Sequence, residues 1–246
     1  MSRRRPWRIS LVSLGCAKNT VDSEAALGSL LGEGHALAVE PADADLVLVN
    51  TCAFIEPARQ ESCEVIAEML GLKDRRGRPR VAVMGCFPQK DGAELERRFP
   101  DLDGILGLDA YANLPELCRR ILQGEQLRQY GRRVEATATA DPHAAPSPRL
   151  LLTPASYAYL KIADGCDNVC AYCAIPQIRG PLRSRPEDAI VHEARDLLAM
   201  GVRELILVAQ DTTAYGKDRG AGAGLAGLLR RLLGETDAAR LRVLYA

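Results

Sequence analysis

The sequence predicts an α/β protein built from two successive parallel-sheet units. Three observations carry this. Through residues 1–133, short apolar runs alternate with stretches of helical periodicity. Residues 134–149, "VEATATADPHAAPSPR", then lose all periodicity and fill with Ala, Thr and Pro, which reads as a linker. From 150 to 246 the alternation starts again.

In the first unit the expected strands are "ISLVSL" (9–14), "ALAVE" (36–40), "LVLVN" (46–50), "VAVMG" (81–85) and "GILGL" (104–108). "SEAALGSLLG", with Asp22 or Ser23 as its cap, and "ARQESCEVIAEMLG" are the intervening helices. In the second unit "YAYLKIA" (157–163) is a strand. "RPEDAIVHEARDLLAMG" is a helix with Ile190, Ala194, Leu197 and Leu198 on one face. "ELILVA" (204–209), "GLAGLLRRLLG" and "LRVLYA" continue as strand, helix and strand. This is a right-handed parallel unit, the opening of a barrel or of an open sheet, and nothing after it closes it.

Composition narrows the function. The chain has 246 residues, 47% of them hydrophobic, enough to bury real cores. Zero net charge argues against binding nucleic acid through bulk charge, and 4% aromatics argues against a base-stacking platform. "MSRRRPWRISLVSLGCA" has the basic start and apolar stretch of an export signal. Ser10 and Ser13 interrupt it, however, and it runs directly into the polar "KNTVDSE". No stretch approaches the roughly 18 apolar residues of a membrane helix. The expectation is a cytoplasmic protein with no membrane role, in which eight cysteines act as ligands or buried thiols rather than as disulfides.

The cysteines sort into three, three and two. Cys16, Cys52 and Cys86 each fall just past an apolar run, in "LVSLGC", "LVLVNTC" and "VAVMGC". In a parallel sheet these carboxyl ends share one edge, where ligands bind, so the three are expected to meet as a metal site. Core thiols would fall inside the runs instead. Cys63 (with Ile66, Ala67 and Leu70) and Cys118 (with Leu114, Leu117 and Ile121) lie on apolar helix faces and read as core.

The last three sit in "GCDNVCAYC": Cys166, Cys170 and Cys173, spaced C-x3-C-x2-C. Zinc would want a fourth ligand. His35, His143 and His192 have no metal-ligand spacing to these cysteines, though a borrowed cysteine such as Cys118 keeps a zinc site open. A 4Fe–4S cube explains the number better, because three thiolates leave one iron open to a ligand.

With Tyr172 before its last cysteine, this loop resembles the signature of radical S-adenosylmethionine enzymes. "SLGCAKNTVDSE", "NTCAFIEPARQES" and "VMGCFPQ" resemble the methylthiotransferase family. "LTPASYAYLKIADGC", "IPQIRGPLRSRP" and "QDTTAYG" look most like its branch acting on an aspartate of a small-subunit ribosomal protein. The resemblance covers nearly the whole chain. It implies a Rossmann-like parallel-sheet methylthiotransferase domain (1–133), followed after the linker by the first part of a radical S-adenosylmethionine partial (β/α) barrel (150–246).

It also implies two 4Fe–4S clusters and S-adenosyl-L-methionine. The cluster on Cys166, Cys170 and Cys173 would bind and cleave that cofactor, giving a radical that takes hydrogen from the β-carbon of the target aspartate. An auxiliary cluster on Cys16, Cys52 and Cys86 would deliver sulfur, and a second cofactor molecule the methyl group. The two clusters should then face each other across the domain boundary. Tyr172 would pack near the adenine or simply plug the barrel mouth. Gln210 and Asp211 would hold the methionine moiety or cap a strand end. Arg179, Arg183 and Arg185 would steady carboxylates or form a solvated basic turn. The implied partners are the ribosomal protein and an electron donor such as flavodoxin or ferredoxin. Family members continue with more barrel strands and a small β-barrel module, so the chain is expected to be C-terminally truncated, and inactivity is one reading. The competing functions are a tRNA methylthiotransferase and a non-catalytic zinc or iron–sulfur module.

Overall fold

A computed structural model describes residues 6–131, 149–220 and 224–246. The expected linker, and His143 within it, lies outside the described residues except for Arg149.

The first sheet has six strands: β1 (Arg8–Ser13), β2 (Ala36–Leu37), β3 (Leu46–Thr51), β4 (Arg80–Gly85), β5 (Gly104–Leu106) and β6 (Leu127–Gln129). All pair in parallel, in the order β2-β1-β3-β4-β5-β6. The helices α1 (Ala17–Gly32), α2 (Glu56–Gly71), α3 (Cys86–Arg98) and α4 (Leu114–Leu122) cover its two faces. The central strands β3 and β4 read as near-continuous apolar runs because both faces are buried. Val47, Val49, Val81 and Val83 pack with Cys63 and Ile66 of α2. Their alternates Leu46, Leu48, Ala82 and Met84 pack with Cys118 and Ile121 of α4. Cys63 and Cys118 are core, as expected.

Several boundaries differ from the sequence reading. The strand expected at 36–40 is only two residues long; Val39 beyond it is 89% exposed, so it has no face to bury. The strand at 104–108 stops at Leu106, and β6 was not anticipated. The first helix begins at Ala17 with extended Cys16 as its cap, not at Asp22 or Ser23. Those two residues are buried inside the helix, facing partners distant in sequence.

The second unit begins with β7 (Tyr157–Lys161). The strand expected to reach residue 163 ends there, and β8 (Ala163–Asp164) turns away to pair antiparallel with β9 (Arg183–Ser184). The segment between them carries the cysteine loop and the short helix α5 (Ile175–Arg179). Then follow α6 (Glu187–Ala199), β10 (Glu204–Val208), α7 (Leu225–Glu235) and β11 (Arg240–Val243). The parallel sheet runs β11-β10-β7, with β11 at its edge.

Alternation along β7 and β10 divides this sheet cleanly. Ala158, Leu160, Leu205 and Leu207 pack beneath Ile190 and Ala194 of α6 and Leu228 and Leu232 of α7. The opposite face presents Tyr157, Tyr159, Ile206 and Val208 to Ala17 and Val21 of α1. One helix of the first unit therefore lies against the second. Among the described residues, no helix is long and apolar enough to cross a membrane.

Candidate functional site

Because β1, β3 and β4 are neighbours, the residues that follow them gather at one carboxyl edge. The sheet order reverses between β1 and β3, the place where such sheets open a crevice. Cys16 caps α1, Cys52 follows β3 and Cys86 opens α3. Buried amides fix the turns. Asn19 Nδ2 donates to the carbonyls of Leu14 (3.1 Å) and Thr51 (3.0 Å), tying the ends of β1 and β3 together. Ser62 Oγ accepts the Cys52 N–H (3.3 Å) and donates to the Cys52 carbonyl (2.9 Å).

A signal in the sequence went unread here. Three of the six candidate cysteines follow glycine, and Gly15, Gly85 and Gly165 all have positive φ (90°, 102° and 76°). At Gly165 the need is plain, since a Cβ would lie 2.0 Å from the Pro181 carbonyl oxygen. The repeated Gly-Cys pair marks a sharp reversal that presents the thiol.

The second loop is organised around its sulfurs. Cys166 Sγ accepts the Asn168 N–H (3.4 Å) and Cys173 Sγ the Ile175 N–H (3.5 Å). Asp167 accepts the Leu182 N–H (2.9 Å), closing the segment on itself. Cys166 is buried, Cys173 half-buried and Cys170 exposed. Tyr172 is 87% exposed and plugs nothing among the described residues.

The two loops meet. A cavity of about 510 Å³ is lined by Cys16, Cys52 and Cys86 from one side and by Cys173 from the other. Ile55, Ile175 and Ile178 give it apolar walls. Cys166 and Cys170 are not among its lining. No three His, Cys, Asp or Glu side chains among the described residues close around a single metal ion. The thiols at this space are soft donors of the kind an iron–sulfur cluster takes. By that chemistry the donor set fits an iron–sulfur cluster.

Arg179 joins the two halves of the site. Of the two roles the sequence left open for it, the solvated turn does not hold: it is 2% exposed. It donates to Asn19 Oδ1 and Asp22 Oδ2 (both 2.8 Å), to Cys86 Sγ (3.4 Å) and to Asp164 (3.0 Å). Lys161 adds contacts to Asp22 (2.7 Å) and Asp164 (3.3 Å). Burial works against the Arg179 guanidinium, but Asp164, Cys86 and Asp22 outweigh it and hold the charge firmly. Burial likewise pushes the Asp164 carboxyl up, yet Arg179 and Lys161 prevail and hold it well below the usual carboxylate range. Burial raises the Cys86 thiol to about 11, with Arg179 pulling the other way. A metal bound there displaces a proton. Arg185 is also buried, against Glu193 (2.6 Å) and the Lys161 carbonyl (2.6 Å). Arg183, half-buried, donates to the carbonyls of Arg179 (3.0 Å) and Pro181 (3.4 Å). Neither is a solvated turn residue.

Gln210 lines the cavity; its Nε2 donates to Asp164 Oδ1 (2.8 Å), while its buried Oε1 has no partner. Asp211 caps the turn Thr212–Ala214 by accepting the Thr213 N–H (3.0 Å), and also accepts from Asn168 Nδ2 (2.9 Å). His192 is an exposed surface residue beside Asp196, and His35 stacks near Trp7. These burials order the thiols. In the metal-free chain, alkylation should reach exposed Cys170 first and leave Cys118, raised to about 12 by burial, unmodified under native conditions. Time-resolved peptide mapping after iodoacetamide treatment checks this. Early labelling of Cys118 would contradict it.

Residues 8–107 match the model of the uncharacterized protein family UPF0004, and residues 160–242 match the radical SAM superfamily. Among curated proteins the chain is similar to "Ribosomal protein uS12 methylthiotransferase RimO" from Trichlorobacter lovleyi (41% identity, covering 100% of this chain and 54% of that protein). The same name is carried by relatives from Syntrophus aciditrophicus (45%, covering 98% and 53%) and Desulforamulus reducens (45%, covering 96% and 52%). The chain thus spans about half the length of the curated relatives it matches. Among solved structures it resembles a radical S-adenosylmethionine methyltransferase, TsrM, from Kitasatospora setae. The TM-score is 0.65 at 17% identity, covering 95% of this chain and 54% of that one. At that identity the likeness speaks to the fold alone.

Proposed function

We propose that the chain is a radical S-adenosylmethionine methylthiotransferase and, on that premise, that it acts in adding a methylthio group to the β-carbon of an aspartate in a small-subunit ribosomal protein, uS12. The observation that carries the reading is the single cavity walled by Cys16, Cys52 and Cys86 on one side and Cys173 on the other. In this reading Cys166, Cys170 and Cys173 hold one 4Fe–4S cluster and Cys16, Cys52 and Cys86 a second. When bound, the clusters and S-adenosylmethionine supply radical generation, sulfur and the methyl group.

The chain's own residues bind, orient and exclude water. Arg179 supports the Cys86 sulfur with a charge-assisted N–H while bracing Asp164, two residues before Cys166. Gln210 offers an unpartnered carbonyl oxygen at the cavity, suited to an ammonium donor such as that of the cofactor's methionine part. Ile55, Ile175 and Ile178 keep the space apolar, which protects a reactive carbon centre from solvent. The reading includes a cytoplasmic setting and an electron donor of the flavodoxin or ferredoxin kind.

The test compares cells with and without the gene. Mass spectrometry of ribosomal protein uS12 should show the methylthio mass on an aspartate only when the gene is present, with tRNA methylthiolation unchanged. Loss of the modification from tRNA instead would assign the chain to the nucleic-acid branch.

A further inference from the structure

Among the described residues, buried cations come with carboxylates, with one exception. Lys161 and Arg179 have Asp22 and Asp164, Arg149 has Glu24 and Glu193, and Arg185 has Glu193. Lys18 is the exception. It stands at the second position of α1 and is 8% exposed. Among the described residues it forms neither a hydrogen bond nor an ion pair; its Nζ lies 3.4 Å from the centre of the Tyr245 ring. Both side chains line the cavity between the two cysteine loops.

An unpaired ammonium is costly to bury, and a cation–π contact offsets only part of that cost. The site therefore favours an anion in the cavity. Burial and Arg179 oppose the charge of Lys18, while the thiols of Cys16 and Cys86 favour it only through space; Cys86 takes its hydrogen bond from Arg179, so the donor positions of the ammonium stay open toward the cavity. The N-terminus of α1, a sixteen-residue helix, adds its positive dipole end at the same place.

Resting on the function proposed above, we propose that Lys18 pairs with the side-chain carboxylate of the target aspartate and so selects an acidic residue over its amide. An acceptor that receives sulfur from one loop side and loses hydrogen to the other must sit in this cavity. Its carboxylate is one bond from the reacting β-carbon, and Lys18 is the cation left for it.

The test uses the whole chain, its clusters reconstituted anaerobically, and fluorescent peptides spanning the target loop of uS12 with either Asp or Asn at the modified position. The wild type should bind the Asp peptide roughly tenfold or more tightly than the Asn peptide, the range of a hydrogen bond to a charged group. Lys18→Met should erase that preference and Lys18→Arg should keep most of it. Iron content and S-adenosylmethionine affinity should be unchanged in both. Equal discrimination by Lys18→Met and wild type would overturn the assignment. So would loss of S-adenosylmethionine binding or of iron in Lys18→Met, since Lys18 would then serve the cofactor or a cluster. A wild type that prefers neither peptide, while cells carrying the gene still methylthiolate uS12, sinks the role of Lys18 alone. If uS12 is not modified either, the parent reading falls with it.

Discussion

Replacing Arg179 with methionine should destabilise the protein by about 3–5 kcal/mol, the usual cost of breaking a buried ion pair from one side. The guanidinium balances Asp22 and Asp164, both largely buried, together with Lys161. Without it two carboxylates share one ammonium, and Asn19 Oδ1 loses its 2.8 Å donor. Methionine fills similar volume, so the loss reports charge and hydrogen bonding rather than a cavity. Equilibrium urea unfolding measures it. Arg240→Met, at a side chain 67% exposed, is the control and should stay within about 0.5 kcal/mol of wild type. A loss below about 1 kcal/mol at Arg179 would show that water replaces the network cheaply.

The second large effect concerns metal content. Under the proposed two-cluster reading, replacing Cys16, Cys52 and Cys86 together with alanine should halve the iron and acid-labile sulfide bound after anaerobic reconstitution. Replacing Cys166, Cys170 and Cys173 should do the same. Cys63 and Cys118 lie at 3% and 0% exposure within opposite cores of the first sheet, so their joint replacement with serine should leave the iron per folded chain unchanged. Iron and sulfide assays on folded monomer decide it. A full complement of iron in either triple variant would refute the sorting of the cysteines.

How far the sequence could be read follows from where each signal resides. The central parallel strands were legible because burial on both faces writes them as continuous apolar runs, as in residues 46–49. β6 and the β8–β9 pair were not: they are two or three residues long and contain Arg, Gln, Asp and Ser, which local pattern assigns to loops. The gathering of Cys16, Cys52 and Cys86 was legible because each follows a strand, and adjacency of those strands did the rest. Arg179 and Lys18 were not legible. Arg179 meets Asn19 and Asp22 across about 160 residues of chain, and Lys18 meets Tyr245 across more. No window on the sequence contains such pairs. Asp22 and Ser23 misled for the same reason, since polar residues near a helix start look like caps until their distant partners are seen.

Helix α1 has a consequence for recombination. It begins at the edge of the first sheet where Cys16, Cys52 and Cys86 gather, lays Val21 against the second, and reaches Lys161 through Asp22 and Arg149 through Glu24. The two matched regions, residues 8–107 and 160–242, are separate in sequence, yet α1 of the first is tied to Arg149, Lys161 and Arg179 beyond it. A chimera that exchanges residues 1–131 with those of a relative must therefore match Asn19, Asp22 and Glu24 to the Lys161, Arg179 and Arg149 of its new partner. Crossovers that keep these six residues from one parent should fold; those that split them should not, wherever between residues 131 and 149 the cut is made.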